Sequence, residues 1–444
     1  MKGLTLLIVK MKFYSTNNPT HLVSLQDAVV NGLAVDNGLY MPEQIPVFPK
    51  NYFVSLMEKS FQEIAFDVAK AFVEEDISDG HLQKIINHTI SFDAPLVEIK
   101  KNIFALELFH GPTLAFKDFG ARFLSQLLSH FAQQKNREIV ILVATSGDTG
   151  SAVANGFLSV PGTRVVVLYP SGKVSDIQEK QFTTLGENIT AVEVSGTFDD
   201  CQHLVKRAFF DQELKNKFFL TSANSINIAR LIPQAFYYFN AWSRLVKKEN
   251  VLFSVPSGNF GNLTAGLIAK RMGLPIQHFV AATNTNDIVP HYLVTREFLP
   301  KPSLSTISNA MDVGNPSNFA RMLDLFRHDH EAMSREITGY SFTDEETRAA
   351  MKTVFSQTNY MLDPHGAIGY LGLKKFQSQH PEITGVFLET AHPAKFLEVV
   401  ESTLQTKISI PDALNYFLRR KKESLKCKSD FDSFKTLLQN ILLK

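Results

Sequence analysis

The fold of this chain is indicated most directly by residues 251–262, whose sequence is VLFSVPSGNFGN. A predominantly apolar run of strand length, 251–255, precedes a glycine-bearing turn, and a helix-like run from Leu263 to Met272 follows it. Strand, glycine turn and helix N-terminus together bring free backbone N–H groups and the positive end of the helix dipole to one point. The stretch predicts an anion site, although taken alone it is equally well interpreted as a plain tight βα turn.

The same alternation of strand and helix continues along the chain from about residue 95. Further buried strands are predicted over residues 138–144, 163–169, 279–282 and 384–388. Short apolar strands that each precede a helical pattern are typical of βα units and parallel sheets. The predicted fold class is therefore α/β, with open, mostly parallel sheets flanked by helices. Because ligands of such sheets bind at the carboxyl ends of the strands, the loops there are the places to look for a site.

The composition excludes several classes of function. The 444 residues include 45 Lys and Arg against 44 Asp and Glu, for a formal net charge of +1. A protein that mainly binds nucleic acid or an acidic membrane would carry a basic surplus. The two cysteines, Cys201 and Cys427, fit a reducing compartment better than a disulfide framework. No apolar run approaches the ~18 residues of a membrane-spanning helix. We therefore expect a cytoplasmic protein with no nucleic-acid or membrane partner.

The two ends of the chain carry no recognisable catalytic cluster. The apolar run 3–9 is followed by charged residues and no cleavage site, so we expect a first strand or a surplus leader there, with Met11 as a possible natural start. Helices are predicted to begin near 24–30 and to cover 54–73, and Ser78 or Asp79 is a candidate cap for a third helix. The charged tail 419–428 is predicted as a solvated helix end.

Two loops in the first half carry groups suited to covalent chemistry and to carboxylate binding. Lys117 lies in the apolar stretch HGPTLAFKDFG, residues 110–120. Burial would lower the pKa of its amine and suit it to Schiff-base formation or proton transfer. Residues 144–151, ATSGDTGS, crowd hydroxyl and carboxyl groups around two glycines after a predicted strand. The alternatives are an exposed lysine at a helix start and an ordinary capped turn.

Two later loops carry groups suited to an anion and to an aromatic ring nitrogen. Residues 221–230, TSANSINIAR, end in Arg230, whose planar fork binds dianions. Residues 389–396, ETAHPAKF, contain Thr390, whose hydroxyl both donates and accepts a hydrogen bond. Read alone, the first loop is better interpreted as a capped helix start with a surface arginine, and the second as an ordinary turn. No cluster with zinc-ligand spacing occurs. Three histidines beside glycine or proline turns are assigned structural roles: His110, His365 and His392.

Taken together and in this order, the five loops resemble those of threonine synthase, a family of pyridoxal-phosphate enzymes of the tryptophan-synthase-β-like class, fold type II. The resemblance is to the longer bacterial and fungal form, which carries an additional N-terminal α+β segment. It extends from about residue 12 to the helical tail. The stretches that match are 106–120, 144–156, 222–230, 255–275, 281–289, 308–313 and 390–396.

The resemblance implies a role for each motif residue, with pyridoxal 5'-phosphate as the cofactor and no metal. Lys117 corresponds to the catalytic lysine that bonds to the cofactor. Thr390 corresponds to the partner of the cofactor's ring nitrogen. The cofactor phosphate is implied to lie on Gly258, Asn259, Phe260, Gly261 and Asn262. The substrate carboxylate is implied to lie on Thr145, Ser146, Asp148 and Thr149, and the substrate phosphate near Asn224, Ser225 and Arg230. Two positions depart from the family pattern: Asn262, where many relatives have Asp, and Glu389, where Gly is common.

The activity implied by the resemblance is that of a carbon–oxygen lyase, which converts O-phospho-L-homoserine and water to L-threonine and phosphate by γ-elimination and β-hydration. The implied organisation is a mostly helical segment 1–94, a segment 95–245 with the cofactor lysine and substrate loops, and a segment 246–444 with the cofactor phosphate loop and the threonine motif. We expect a small-molecule substrate and a monomer or homodimer.

Four alternatives remain open from sequence. A purely structural α/β protein is disfavoured, because three polar loops at strand ends would then be coincidence. An O-phosphohomoserine phospholyase would share every residue named above. A serine/threonine dehydratase or β-replacement enzyme of the same fold is disfavoured by Arg230 in the phosphate-facing group. A non-catalytic protein that binds a phosphorylated ligand is disfavoured by Lys117, because binding alone needs no cofactor lysine.

Overall fold

The computed structural model describes residues 10–73, 76–135 and 137–443. The apolar run 3–9, predicted as a strand or leader, lies outside these residues. The strands are β1 Phe13–Ser15, β2 Asn18–Val23, β3 Tyr40–Pro42, β4 Leu96–Lys100, β5 Ile103–Glu107, β6 Ile139–Ala144, β7 Thr163–Pro170, β8 Ile189–Ser195, β9 Phe219–Ser222, β10 Val251–Pro256, β11 His278–Thr283, β12 Ile337–Ser341, β13 Thr384–Glu389 and β14 Leu425–Lys428.

The helices alternate with these strands from residue 117 onward. They are α1 Leu25–Asn31, α2 Lys50–Ser55, α3 Phe61–Val73, α4 Asp79–Thr89, α5 Lys117–Lys135, α6 Asp148–Phe157, α7 Asp176–Thr183, α8 Phe198–Phe210, α9 Gln212–Lys217, α10 Ile228–Arg244, α11 Gly261–Arg271, α12 Ile288–Thr295, α13 Phe319–Leu325, α14 His330–Glu336, α15 Asp344–Thr358, α16 Pro364–Gln377, α17 Leu397–Leu404, α18 Asp412–Leu418 and α19 Phe431–Leu442. Three short 3-10 helices cover Leu56–Glu58, Asn309–Met311 and Pro393–Phe396.

The strands form two mostly parallel sheets and a small antiparallel one. A five-stranded sheet has the order β14-β8-β7-β6-β9 and is parallel throughout. A six-stranded sheet has the order β12-β11-β10-β13-β5-β4, in which only β4 runs antiparallel. The third sheet, β2-β1-β3, is antiparallel and belongs to the N-terminal segment. The predicted α/β class with an N-terminal α+β segment is confirmed.

The five predicted strands are confirmed as β6, β7, β10, β11 and β13. Every residue of β6, β10 and β13 is buried, as expected for strands of a parallel sheet covered by helices on both faces. The strand pairing does not follow the predicted boundary at residue 245. β5 pairs with β13, and β14 pairs with β8, so each large sheet takes strands from both predicted segments.

Two predictions about helices are wrong. The tail 419–428 ends in the strand β14 and not in a helix. Its one inward residue is Cys427, which is 7% exposed. The predicted helix 54–73 is interrupted at residues 59–60, where the Ser60 backbone and hydroxyl both donate to the Glu63 carboxylate. That pair starts a new helix, α3, because it satisfies donors that a helix N-terminus leaves without partners.

Helix α10 lies at the centre of the molecule and reaches the site at its N-terminal end. Every one of its residues except Arg244 is buried, as expected for a helix that is covered on all sides. It packs against α3, α5 and α11, and thus joins the N-terminal segment to the helices of both large sheets. Within the described ranges, no helix is long and apolar enough to cross a membrane.

Candidate active site

A single cavity gathers the five loops that the sequence singled out. Four of them follow directly on β6, β9, β10 and β13, and the fifth leads into α5. Their arrangement at the carboxyl ends of the strands is the one expected for an open α/β sheet. The cavity wall contains these predicted residues: Lys117, Thr145, Ser146, Thr149, Asn224, Ser225, Arg230, Gly258, Asn259, Phe260, Gly261, Asn262 and Thr390.

Lys117 begins helix α5 and has a desolvated amine. The pKa of Lys117 is lowered to about 8, mainly by burial and in smaller part by the nearby cations Lys395 and Arg230, while Asp148 acts in the opposite direction. The Thr390 loop is bound directly to the stretch before Lys117, because the Phe116 N–H donates to the Thr390 carbonyl at 2.9 Å. The lysine and the threonine hydroxyl therefore lie on adjacent segments of one wall.

Asp148 is held outside the cavity wall, contrary to the prediction that it faces the substrate. Its carboxylate forms an ion pair with Lys395 at 2.6 Å and accepts a hydrogen bond from the Gln178 amide at 2.9 Å. Burial opposes ionisation of Asp148, but Lys395 and Lys117 outweigh it and hold the pKa of the carboxyl well below its usual range. Asp148 is thus an anion fixed behind Lys117.

Of the remaining residues in that loop, Thr145 uses its hydroxyl within the turn. Its oxygen accepts from the N–H groups of Gly147 and Gly150, at 2.9 and 2.8 Å. Ser146 and Thr149 also line the cavity. These two hydroxyls, together with the N-terminus of α6, are the donors that the loop offers to a carboxylate.

The loop 258–262 forms a turn that approaches the cavity closely. Phe260 adopts the left-handed conformation with φ 59° and precedes the first residue of α11. A Cβ added to Gly258 would lie 2.9 Å from the Ala310 carbonyl oxygen, so only glycine fits there. A Cβ added to Gly261 would meet nothing nearer than the Asn318 amide nitrogen at 3.5 Å. The fold therefore accommodates a Cβ at Gly261, and that glycine leaves space at the helix N-terminus.

Asn259 and Asn262 hold this turn in place. The Asn262 amide donates to the Pro256 carbonyl at 2.8 Å, and its oxygen accepts from the Leu263 N–H at 3.0 Å. The Asn259 oxygen accepts from the Ser317 hydroxyl at 3.1 Å. Asn262 thus stabilises the turn through hydrogen bonds of an uncharged side chain.

Arg230 supplies a buried cation on the far side of the cavity. It is 3% exposed, and burial lowers the pKa of its guanidinium to about 10. One of its terminal nitrogens donates to the Ala223 carbonyl, whereas its Nε has no hydrogen-bond partner. The Asn224 amide is used to bind the Ala144 carbonyl at 3.1 Å. Arg230 is therefore the charged group that this side of the cavity offers to an anion.

Several functional residues were not assigned from sequence. Arg321 is fully buried and donates to the carbonyl groups of Ser225 and Ile226, so it holds the turn before α10. Asp312 lies in the cavity wall, and burial raises its pKa to about 6. The only sequence signal for Asp312 was its place in the stretch 308–313, which resembles the threonine synthase family. Nothing local marks Arg321 as part of the site, because the two carbonyl groups that connect it to the turn are at least 95 residues away along the chain. The other unassigned residues of the wall include Gln234, Asn309, Met311 and His365.

Glu389 is a fully buried carboxyl at the end of β13. Its side chain has no exposed surface, and burial and the neighbouring Asp363 raise the pKa of the Glu389 carboxyl well above its usual range. The carboxyl lies so close to Gly366 that a Cβ there would overlap it. The family departure noted at this position thus places a buried carboxyl group, whose environment favours its protonated form, directly before Thr390.

Three comparisons place the chain among known proteins. Residues 89–388 match a family model described as "Pyridoxal-phosphate dependent enzyme". Residues 12–90 match "Threonine synthase N terminus", and residues 366–438 match "Threonine synthase, C-terminal". A curated threonine synthase from Escherichia coli strain K12 is 42% identical over 432 residues, which cover 97% of this chain and 100% of the relative.

Solved structures agree with these matches. The crystal structure of threonine synthase from Escherichia coli superimposes with a TM-score of 0.91 at 41% identity, covering 97% of this chain and 100% of that one. A structure of threonine synthase from Brucella melitensis, described as bound to pyridoxal phosphate, gives a TM-score of 0.91 at 34% identity, covering 97% and 99%.

The buried Glu389 predicts a defined pH dependence of stability. The folded state keeps a proton that the unfolded state releases above about pH 4.3. The contribution of Glu389 to stability should therefore be greatest below that pH and fall as the pH rises toward the raised pKa, by at most about 1.4 kcal/mol per pH unit. Glu389→Gln should lack this fall and be the more stable protein at pH 8. Urea unfolding at pH 5, 6, 7 and 8 measures the difference.

Glu98→Gln is the matched control, since Glu98 is exposed on β4. It should keep the pH dependence of the wild type. Parallel pH curves for the wild type and Glu389→Gln would show that Glu389 does not hold the extra proton.

Proposed function

The chain belongs to the threonine synthase family of pyridoxal-phosphate-dependent enzymes, and we propose that its cavity converts O-phospho-L-homoserine and water to L-threonine and phosphate. The observation that carries this proposal is the convergence of five distant loops around a desolvated lysine and a buried arginine. A cofactor lysine and a cation for a leaving phosphate are the two groups that this chemistry needs.

The residues of the cavity fit pyridoxal phosphate. The glycine turn at the N-terminus of α11 leaves space beside free backbone N–H groups, as a phosphate requires. Lys117 and Thr390 lie on adjacent segments, with an amine for the covalent bond and a hydroxyl for the ring nitrogen. Residues 258–262 would hold the phosphate. When bound, the cofactor supplies an electron sink for charge that develops next to the substrate's amino group.

Lys117 is positioned to move protons at the substrate. With a pKa of about 8, its amine exists in both the protonated and the free form near neutral pH, which suits it to act as general base and general acid. We assign to its Nζ the transfer of protons at Cα and Cβ. Asp148 and Lys395 fix the charge behind it, and Ser146 and Thr149 orient the substrate carboxylate.

Arg230 balances the charge of the departing phosphate. Its fork is almost completely buried, so the interaction with a dianion is screened little by water. Charge gathers on the phosphate oxygen as its bond to Cγ breaks, and Arg230 therefore stabilises the transition state more than the bound substrate. Asn224 and Ser225 complete this side of the cavity. A cytoplasmic location and a monomeric or homodimeric state stay predictions.

The direct experiment is product analysis. Purified protein with pyridoxal phosphate and O-phospho-L-homoserine should release phosphate and threonine in equal amounts. Release of 2-oxobutyrate in place of threonine would assign the phospholyase reaction, and no reaction with bound cofactor would overturn the proposal.

Lys117→Ala should fold but lose the absorbance of the lysine-bound cofactor and nearly all turnover, because the covalent bond and the general base are both removed. Borohydride reduction followed by peptide mapping locates the labelled residue in the wild type. Lys101→Ala, which changes an exposed lysine, is the control and should retain both properties. Label on a lysine other than Lys117 would contradict the assignment.

Gly261→Val should lower the affinity for pyridoxal phosphate while the maximal rate at saturating cofactor changes little. The fold accommodates a Cβ at this position, so the loss would come from a side chain that occupies the space of the phosphate. Gly261→Ala should give a smaller loss. Cofactor titration of the three proteins measures the series. Gly80→Val is the control, because a Cβ there meets nothing within 4 Å. Unchanged affinity for pyridoxal phosphate in Gly261→Val would show that the loop does not bind the cofactor phosphate.

Arg230→Leu should lower kcat/KM by about tenfold to a few hundredfold, the loss expected for one charge-assisted hydrogen bond. Turnover should fall as well as apparent affinity, and the cofactor absorbance should remain. Inorganic phosphate should inhibit the wild type more strongly than the variant. The control is Arg122→Leu, since Arg122 binds the His88 carbonyl and is not part of the cavity wall. Equal inhibition of wild type and Arg230→Leu, with unchanged kinetics, would remove Arg230 from the site.

A further inference from the structure

His365 connects helix α16 to the short turn Asn309–Met311 in the cavity wall. We propose that His365, oriented by Asp363, is a positioning residue that fixes this turn against the loop 258–262 and thereby sets the affinity for a ligand with a phosphate group. The proposal rests on the function proposed above, since it concerns the same cavity. It gives His365 a role in ligand binding, whereas the sequence analysis assigned this histidine only a structural role.

The two ring nitrogens of His365 make different hydrogen bonds. Its Nε2 accepts from the Ala310 N–H at 3.2 Å, and its Nδ1 lies 2.6 Å from an Asp363 carboxylate oxygen. A backbone N–H can only donate, so Nε2 must be unprotonated. The proton of the neutral ring is therefore on Nδ1, and Nδ1 donates to Asp363. This geometry defines one tautomer and one ring orientation.

Asp363 is itself fixed by the start of α16. It has no exposed surface, and its two oxygens accept from the N–H groups of His365 and Gly366 at 2.9 and 3.2 Å, as an N-cap. The Phe396 ring packs against the imidazole with centroids 4.9 Å apart. The ring of His365, which is 2% exposed, is thus held by a carboxylate, a helix and an aromatic side chain.

The turn that His365 holds is in direct contact with the phosphate loop. A Cβ on Gly258 would lie 2.9 Å from both the Ala310 carbonyl oxygen and the Met311 Cα, so the two backbones pack without space between them. Beyond the turn, Asp312 binds the Asn284 amide at 2.9 Å and the Thr306 hydroxyl at 2.7 Å. The turn is therefore fixed at both ends, by His365 at Ala310 and by the network around Asp312.

The contact to Ala310 should matter most to the phosphate end of a ligand. If Nε2 is removed, the Ala310 N–H loses its partner and the turn is free to move away from Gly258. The loop 258–262 then loses the surface that supports it. A ligand without a phosphate does not use that loop, so its affinity should change much less. This selectivity separates a positioning role from a general loss of stability.

The test compares pyridoxal 5'-phosphate with pyridoxal, which lacks the phosphate, by titration of cofactor-free protein. His365→Asn keeps an N–H donor near Asp363 but does not reach Ala310, whereas His365→Gln reaches Ala310 with an acceptor. We expect His365→Asn to bind pyridoxal 5'-phosphate about tenfold more weakly, the value of one hydrogen bond, and pyridoxal almost as well as the wild type does. His365→Gln should recover most of the loss.

His278→Leu is the matched control. His278 stacks on Phe376 near the other end of α16 and binds the Thr338 hydroxyl, and His278 is absent from the cavity wall. It should leave the affinity ratio of the two ligands unchanged. If His365→Asn does not fold, His365→Leu replaces it. Unchanged affinity for pyridoxal 5'-phosphate, or an equal loss for both ligands, would overturn the proposal.

Hydrogen exchange in the cofactor-free protein tests the contact independently of any ligand. The Ala310 amide should exchange slowly in the wild type and in His365→Gln, and at least tenfold faster in His365→Asn. Equal exchange in all three would also overturn the proposal. A wild type that does not bind pyridoxal 5'-phosphate would instead overturn the proposed function. The exchange measurement needs no ligand, so its result on the contact between His365 and Ala310 would still stand.

Discussion

The structure of the site depends on the buried ion pair between Lys395 and Asp148. Both side chains are at most 5% exposed, and removing two charges from water is costly unless further hydrogen bonds satisfy them. Here the Gln178 amide binds Asp148, and the Lys395 amine also donates to the Thr113 carbonyl at 2.9 Å. The pair therefore joins the loop before Lys117, the loop after β6 and the loop after β13. It also places one fixed anion, Asp148, near Lys117. Burial is the main reason that the pKa of Lys117 is lowered; the cations Lys395 and Arg230 add to this effect, whereas Asp148 opposes it.

Much of the fold could be predicted from the sequence because buried parallel strands have a strong local signal. β6 is a continuous apolar run and β13 has an apolar centre, residues 386–388, and each is followed by a loop with small polar residues. β14 has no such signal, since Cys427 is its one buried residue and its neighbours are charged or exposed. The order of the strands could not be predicted either. The pairing of β5 with β13 joins segments about 280 residues apart, and no local pattern records it.

Sequence could single out residues of the site where a motif faces the cavity, and less so where a residue acts from behind. Gly258 and Lys117 line the cavity, and the sequence singled them out because their chemistry is visible in the residue type and its neighbours. Asp148 lies in a predicted motif, yet its carboxylate pairs with Lys395, which the sequence shows only as a lysine in another loop. His365 has only a weak local sequence signal, and its role depends on its hydrogen bond with Ala310, 55 residues earlier. The partners of Asp148 and His365 are brought to them by tertiary contacts, which a local sequence pattern does not reveal.

The position of β14 at the edge of the five-stranded sheet has a consequence for how the protein is synthesised. β14 completes the edge beside β8, and Lys395 emerges from the ribosome almost 280 residues after Lys117. A growing chain that ends before residue 384 has Lys117 but neither Lys395, the cation that pairs with Asp148, nor the strand β13 that precedes Thr390. Contacts so distant in sequence form late and slowly. Until residues 384–428 have been synthesised, the nascent protein therefore has incomplete sheet edges, and the cavity lacks the loop that follows β13.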